Sequence, residues 1–266
     1  MLFKTALFLA ASGSLFAQEV HSGHAAASWL TESETFEPGK PIQTAVQLRM
    51  EPGWHSYWLN PGEAGMKLSL KWDLPDGWKA SDVSYPVPIS FNTGGLAGFG
   101  YINEATFPIT LTPPDSASNP SQVGLKISWL TCNDNACVPG DAELTLKLAP
   151  GTPSPSDSAE IISKAIAEVP KTMDGVTLSV SEVDSALKLT LKIPADSKID
   201  PSACEVFPAS ASTVKDQNPI RFEKDGAEWA ATATKSDYLD GPVKELTLVL
   251  AGKGTPKPIE VSWSAN

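Results

Sequence analysis

PIQTAVQLRM, residues 41–50, sets Ile42, Thr44, Val46, Leu48 and Met50 against Gln43, Ala45, Gln47 and Arg49. A strand sends alternate side chains to opposite faces, so this period of two predicts one buried and one wet face. KLSLKWDL, residues 67–74, repeats the pattern with Leu68, Leu70, Trp72 and Leu74 on one side. It recurs at Leu125, Ile127 and Trp129, and again at Leu144, Leu146 and Leu148. Turn clusters separate these runs: EPGK, EPGW, NPGEAG, LPDG and TPPDSASNPS. Short alternating strands punctuated in this way predict an antiparallel β-sandwich. The 23 Pro and 19 Gly are spread without a repeat, which suits a turn-rich all-β chain.

APGTPSPSDS, residues 149–158, reads as a linker. A helix should follow. Asp157 and Glu160 resemble a capping box, Ile161, Ile162, Ala165, Ile166 and Val169 have helical spacing, and Pro170 ends the run. The period of two then returns at Val176/Leu178/Val180, Leu187/Leu189/Leu191/Ile193, Leu246/Leu248/Leu250 and Ile259/Val261/Trp263. The expected order is therefore a first sandwich over residues 18–150, a linker and helix over 151–170, and a second, smaller sandwich over 171–266. Six of the eight Trp precede residue 130, which places the richer aromatic core in the first unit.

Residues 1–17, MLFKTALFLAASGSLFA, carry Lys4 ahead of an apolar run and small residues, the pattern of a cleavable signal peptide. No Cys follows it for lipid attachment. No other stretch approaches 18 apolar residues, so no membrane span is expected in the mature chain. Export would place the cysteines where disulfides persist. A net charge of −11 argues against nucleic acid as a partner. No Walker-type phosphate loop, G-x-S-x-G elbow or H-E-x-x-H zinc motif occurs, so neither hydrolytic nor nucleotide chemistry has support, and no cofactor is expected.

SWLTCNDNACVPG, residues 128–140, holds two of the three cysteines, Cys132 and Cys137. Asn133, Asp134 and Asn135 are turn residues. A four-residue hairpin loop would oppose the two cysteines at a separation a disulfide tolerates. Three uses are open. As a staple, the short loop it closes contributes only about 2 kcal/mol, against about 4.7 for a hundred-residue loop. As a metal site, the pair would need His21, His24 or His55, and zinc prefers closer cysteines and four ligands. As a redox couple, the spacing is not the CxxC of thioredoxin, and the residues alone do not decide.

GWHSYWLNPGEAG (53–65), LPDGW (74–78), YPVP (85–88), FGYINE (99–104) and WLTCNDNACVPG (129–140) occur in that order. Together they resemble the N-terminal domain of the thiol:disulfide interchange protein DsbD, above all the ScsB-like variants with tandem β domains. The resemblance covers residues 20–150 well and extends weakly to the end. It implies an immunoglobulin-like sandwich in the periplasm whose Cys132–Cys137 pair cycles between disulfide and dithiol, with Cys137 as the attacking thiol. It implies an aromatic cap over the cysteines, with Phe99 in that place and Tyr101 second. It sets His55 and Tyr57 beside the cysteines, where a protonated His55 would lower a thiol pKa.

The implied partners are thioredoxin-like exported proteins, among them disulfide isomerases and cytochrome c maturation factors. This chain carries no membrane bundle and no thioredoxin-like CxxC domain, so a membrane electron donor of DsbD type is expected in trans. The chain would then be a component of a protein-disulfide reductase. The competing reading is a redox-silent sandwich that binds a protein or a glycan and keeps a structural disulfide; a third, copper handling, follows from the ScsB likeness. Cys204 has no partner nearby in sequence and reads as a buried or half-buried free thiol.

Overall fold

The computed structural model describes residues 18–265; the expected signal peptide, 1–17, lies outside them. Twelve strands precede the single α-helix of these residues. They are Glu19–Ser22 (β1), Ala25–Thr31 (β2), Thr35–Phe36 (β3), Ile42–Met50 (β4), His55–Gly62 (β5), Ser69–Asp73 (β6), Lys79–Ala80 (β7), Ile89–Thr93 (β8), Leu96–Ile102 (β9), Glu104–Thr112 (β10), Ser121–Cys132 (β11) and Cys137–Pro150 (β12). One sheet runs β1-β2-β4-β10-β7, and the other β3-β12-β11-β5-β9-β8 with β6 also on β11. Every pairing in these two sheets is antiparallel except the short β3–β12 contact. This is the all-β sandwich that the alternation predicts, of the immunoglobulin-like kind that the resemblance implies.

The core lies between the sheets. Val46 and Leu48 of β4, beside Phe107, Ile109 and Leu111 of β10, join Val123, Leu125, Ile127 and Trp129 of β11 in the other sheet in one buried cluster. The other face of β4 is not simply wet. Helix α1, Ala159–Glu168, lies over it, and Leu30, Ala45 and Ile162 form a small second cluster there. Burying an Ile-sized side chain contributes roughly 2 kcal/mol, enough to hold a three-turn helix that would not persist alone. The Asp157/Glu160 box does not form: Ser158 is the N-cap and its side chain makes no capping bond. The helix stops where expected. Val169, just before Pro170, is extended, because the proline ring disfavours helical backbone in the residue before it.

The remaining strands are Lys171–Thr172 (β13), Thr177–Val183 (β14), Ala186–Lys192 (β15), Glu205–Pro208 (β16), Glu223–Asp225 (β17), Glu228–Thr234 (β18), Glu245–Ala251 (β19) and Ile259–Ser264 (β20). They make two four-stranded sheets, β13-β20-β19-β16 and β14-β15-β18-β17. Leu187, Leu189 and Leu191 pack on Leu246, Leu248 and Leu250 between them. The opposite face of β19 is apolar too: Val249 and Ala251, with Phe207 and Ala209, join the core cluster of the first sandwich. Among the described residues, no helix is long and apolar enough to cross a membrane.

Candidate functional site

Cys132 closes β11 and Cys137 opens β12, and the two are direct register partners. Asn133 shapes the connection. Its N–H donates to the Ala136 carbonyl at 2.9 Å, and its Oδ1 accepts from the N–H groups of Asn135 and Ala136 at 2.8 and 2.9 Å. The side chain thus takes over backbone hydrogen bonds that a tight turn leaves unpaired. The cysteines are joined, with Sγ–Sγ 2.08 Å and Cα atoms 4.1 Å apart.

The two halves of the bond differ in exposure. In β11 the odd positions from Val123 to Trp129 point into the core, so Cys132 projects outward with Lys126. Cys132 is nonetheless 0% exposed, whereas Cys137 is exposed. The cover for Cys132 is found in the neighbouring strands. Cys132 pairs with His55, and His55 with Ile102. Tyr57 pairs with Gly100, Gly100 with Ile89, and Gly98 with Phe91. Directly opposed residues share a face. His55, Tyr57 and Phe91 therefore stand on the same side of the sheet as the disulfide.

Contacts bear this out. The Phe91 ring lies 4.2 Å from the His55 ring and 5.9 Å from that of Tyr57, centre to centre. His55 Nε2 and Tyr57 Oη are 3.3 Å apart. Phe91 can lie across β9 because Gly98 is beneath it; a Cβ there would run into the ring. Burial pushes the His55 pKa below its usual 6.5, opposed by the nearby Asp134 carboxylate. Burial pushes Tyr57 upward. Both side chains are thus neutral at pH 7. The help that a protonated His55 would give to a thiolate is therefore opposed here, because removing the ring from water disfavours its cationic form.

The expected cap residues also need correction. Phe99 pairs with Ser90 and Tyr101 with Ser56, which turns both to the opposite, inner face. Phe99 is 5% exposed, with its ring centre 6.4 Å from Trp58 and 5.9 Å from Phe207. Tyr101 packs edge-on to Phe107 and donates its hydroxyl to the Pro86 carbonyl at 2.8 Å. The aromatic on the cysteine face is Phe91, which the sequence reading passed over. A signal for it was present: Phe91 precedes the turn Asn92–Gly95, and Gly98 and Gly100 strip the facing strand of side chains. Ile89, Leu96 and Ile102 on the same face are exposed large apolar residues.

The other candidates lie apart from the disulfide in their contacts. His24 stacks on Trp54 at 3.8 Å and bonds Glu51, and His21 pairs with Glu19. Among the described residues, no group of three His, Cys, Asp or Glu side chains is placed to hold a metal ion. Cys204 is a half-buried free thiol, and burial, then the Asp200 carboxylate, pushes its pKa up to about 11.

Residues 26–149 match the family model described as thiol:disulfide interchange protein DsbD, N-terminal. The N-terminal periplasmic domain of ScsB from Proteus mirabilis shares the fold, with a TM-score of 0.67 at 22% identity over 91% of this chain and 94% of that one. The YadV chaperone aligns with a TM-score of only 0.23 at 11% identity, over 89% of this chain and 99% of that one. The titin Ig tandem A164-A165 gives 0.21 at 12% identity, over 92% and 97%. No curated protein matches the chain in sequence.

Proposed function

We propose, from the match of residues 26–149 to the DsbD N-terminal family model, that the chain is a periplasmic thiol–disulfide interchange module working through Cys132 and Cys137. The observation that carries this reading is the unequal exposure of the pair, Cys137 open and Cys132 covered. Exchange needs one sulfur that a partner can reach and a second held back to resolve the mixed disulfide.

In the reduced form the Cys137 thiolate attacks a partner disulfide. A Cys137–partner bond forms, and the partner's other sulfur leaves as a thiolate. Cys132, deprotonated, then attacks Cys137 Sγ. The internal disulfide re-forms and the partner leaves with two electrons and, after proton uptake, two thiols. In this reading His55, neutral and paired with Cys132 in register, takes the Cys132 proton, which an imidazolium would refuse. Phe91 with His55 and Tyr57 limits access to the pair between encounters. Residues 18–150 are the redox domain in this reading, and 171–266 a second domain. Thioredoxin-like exported proteins, including cytochrome c maturation factors, are the partners in this reading, and a DsbD-type membrane component supplies the electrons.

The reduction potential of the pair tests the proposal. A value above about −300 mV fits a working couple, and one well below it marks a resistant structural bond and sinks the reading. A Cys132→Ala variant should trap a thioredoxin-like partner on Cys137 as a mixed disulfide that dithiothreitol releases.

A further inference from the structure

We propose a function for the second sandwich: it clamps the β8–β9 hairpin, and release of that clamp governs how often the disulfide face opens. The inference rests on the redox reading above for its purpose, though not for its geometry.

The hairpin has two sides with different neighbours. Its outer side carries Phe91 against His55, one pairing away from Cys132. Its inner side carries Phe99, whose ring meets Phe207 of β16 at 5.9 Å, edge to face. Phe207 also meets Trp58 of β5 at 6.2 Å. The same hairpin is held by a polar relay. Glu63 Oε2 accepts from the Ala97 N–H of β9 at 2.9 Å, and the Glu63 N–H donates to the Ala97 carbonyl at 2.9 Å. The same carboxylate accepts from Gln217 Nε2 of the second sandwich at 2.8 and 2.7 Å. Glu63 therefore ties the hairpin to residues 171–264 through a single side chain.

The register break in β5 ties the strand beside the hairpin to the second sandwich. Between Tyr57↔Gly100 and Gly62↔Gly98 the strand carries extra residues, and Asn60 among them is 0% exposed. Its Nδ2 donates to the Pro208 carbonyl at 2.8 Å and to Asp216 Oδ1 at 3.1 Å. A bulge bends its strand and re-aims side chains, which is how β5 serves the cysteine face at His55 and the second sandwich at Asn60.

The hairpin is not packed solid on that inner side. A cleft of about 700 Å³ opens beside the Phe99–Phe207 contact, between Cys204–Pro208 and Asp216–Arg221 on one side and Ser90, Asn92 and Phe99 of the hairpin on the other. Interiors resist deformation where they are close-packed, so an open cleft leaves the hairpin room to swing once its ties loosen. β8 ends its sheet and, among the described residues, has β9 as its one paired strand.

The experiment uses the full chain with two variants, Phe207→Ala and Gln217→Ala. Two rates are measured: amide hydrogen exchange across residues 89–102, and reduction of the disulfide by dithiothreitol. Phe207→Ala should speed both by about tenfold or more, since an aromatic truncation removes several kcal/mol of packing. Gln217→Ala should speed both by about two- to fivefold, the loss of hydrogen bonds to a charged acceptor at a partly wet site. The reduction potential should stay unchanged, because access alters both directions alike. Protection of β19 amides reports whether the second sandwich remains folded in Phe207→Ala; if it does not, Gln217→Ala decides. Unchanged hairpin exchange with β19 still protected overturns the clamp. Should the disulfide prove a resistant structural bond, the thiol reaction falls silent and the redox reading fails, while hairpin exchange still reads the clamp.

Discussion

The chain holds two sulfur environments of opposite character. At the β11–β12 turn, one cysteine is exposed, its partner is buried beside a neutral imidazole, and an aromatic stands behind. At the start of β16, Cys204 is half-buried, its thiolate opposed by burial and by Asp200. Cys204 lines the cleft on the inner side of the β8–β9 hairpin, while the disulfide lies on the sheet face that carries Phe91. Proximity to one hairpin therefore does not confer reactivity. Desolvation without a compensating charge raises a thiol pKa, and a raised thiol is a poor nucleophile.

The sharpest way to break this contrast is to remove the sulfurs in turn. Cys137→Ser should abolish disulfide exchange with a thioredoxin-like protein, while Cys204→Ser should leave its rate within about twofold of the original, as expected of an inert thiol. Rapid-quench assays of thiol content would check both. Alkylation reads the Cys204 side directly. At pH 8 its rate with iodoacetamide should be on the order of a hundredfold below that of an unhindered thiol, rising about tenfold per pH unit until near pH 11. A fast reaction at pH 8 would erase the contrast.

Smaller changes sharpen it. Phe91→Ala should speed reduction of the pair by dithiothreitol roughly fivefold, because it widens access without touching either sulfur. Phe99→Ala should instead lower the denaturation midpoint, as a buried core truncation does. The smallest effect concerns His55. The folded chain binds its proton more weakly than the unfolded chain. Its contribution to stability is thus complete above the usual value of 6.5 and is lost as pH falls from there through the lowered value. Urea midpoints between pH 7.5 and 5 should show this slope, and His55→Gln should flatten it.

Much of the architecture was legible in local pattern. The alternation at Ile42–Met50 and Leu125–Trp129 identified strands and their inner faces, and Asn133, Asp134 and Asn135 read as a turn that opposes Cys132 and Cys137. The structure departs where a face has two neighbours. Leu246, Leu248 and Leu250 signalled one buried face of β19, but Val249 is 1% exposed because the first sandwich covers the other. Ala45 is dry because α1 lies over it. Neither covering element is adjacent in sequence to what it covers. Phe99 drew attention through its motif, yet the side of β9 it occupies follows from its pairing with Ser90.

What the sequence determined by itself were the properties set within a few residues: strand period, turn chemistry, the stop at Pro170 and the opposition of two cysteines across a short loop. Only the tertiary structure decided that Cys132 is covered though it points outward, that Phe91 rather than Phe99 shares its face, and that β5 bulges to reach a second sandwich. These depend on register between strands far apart in the chain, His55 with Cys132 and with Ile102. Because side chains alternate, a shift of one residue in such a pairing would turn every one of them to the other face.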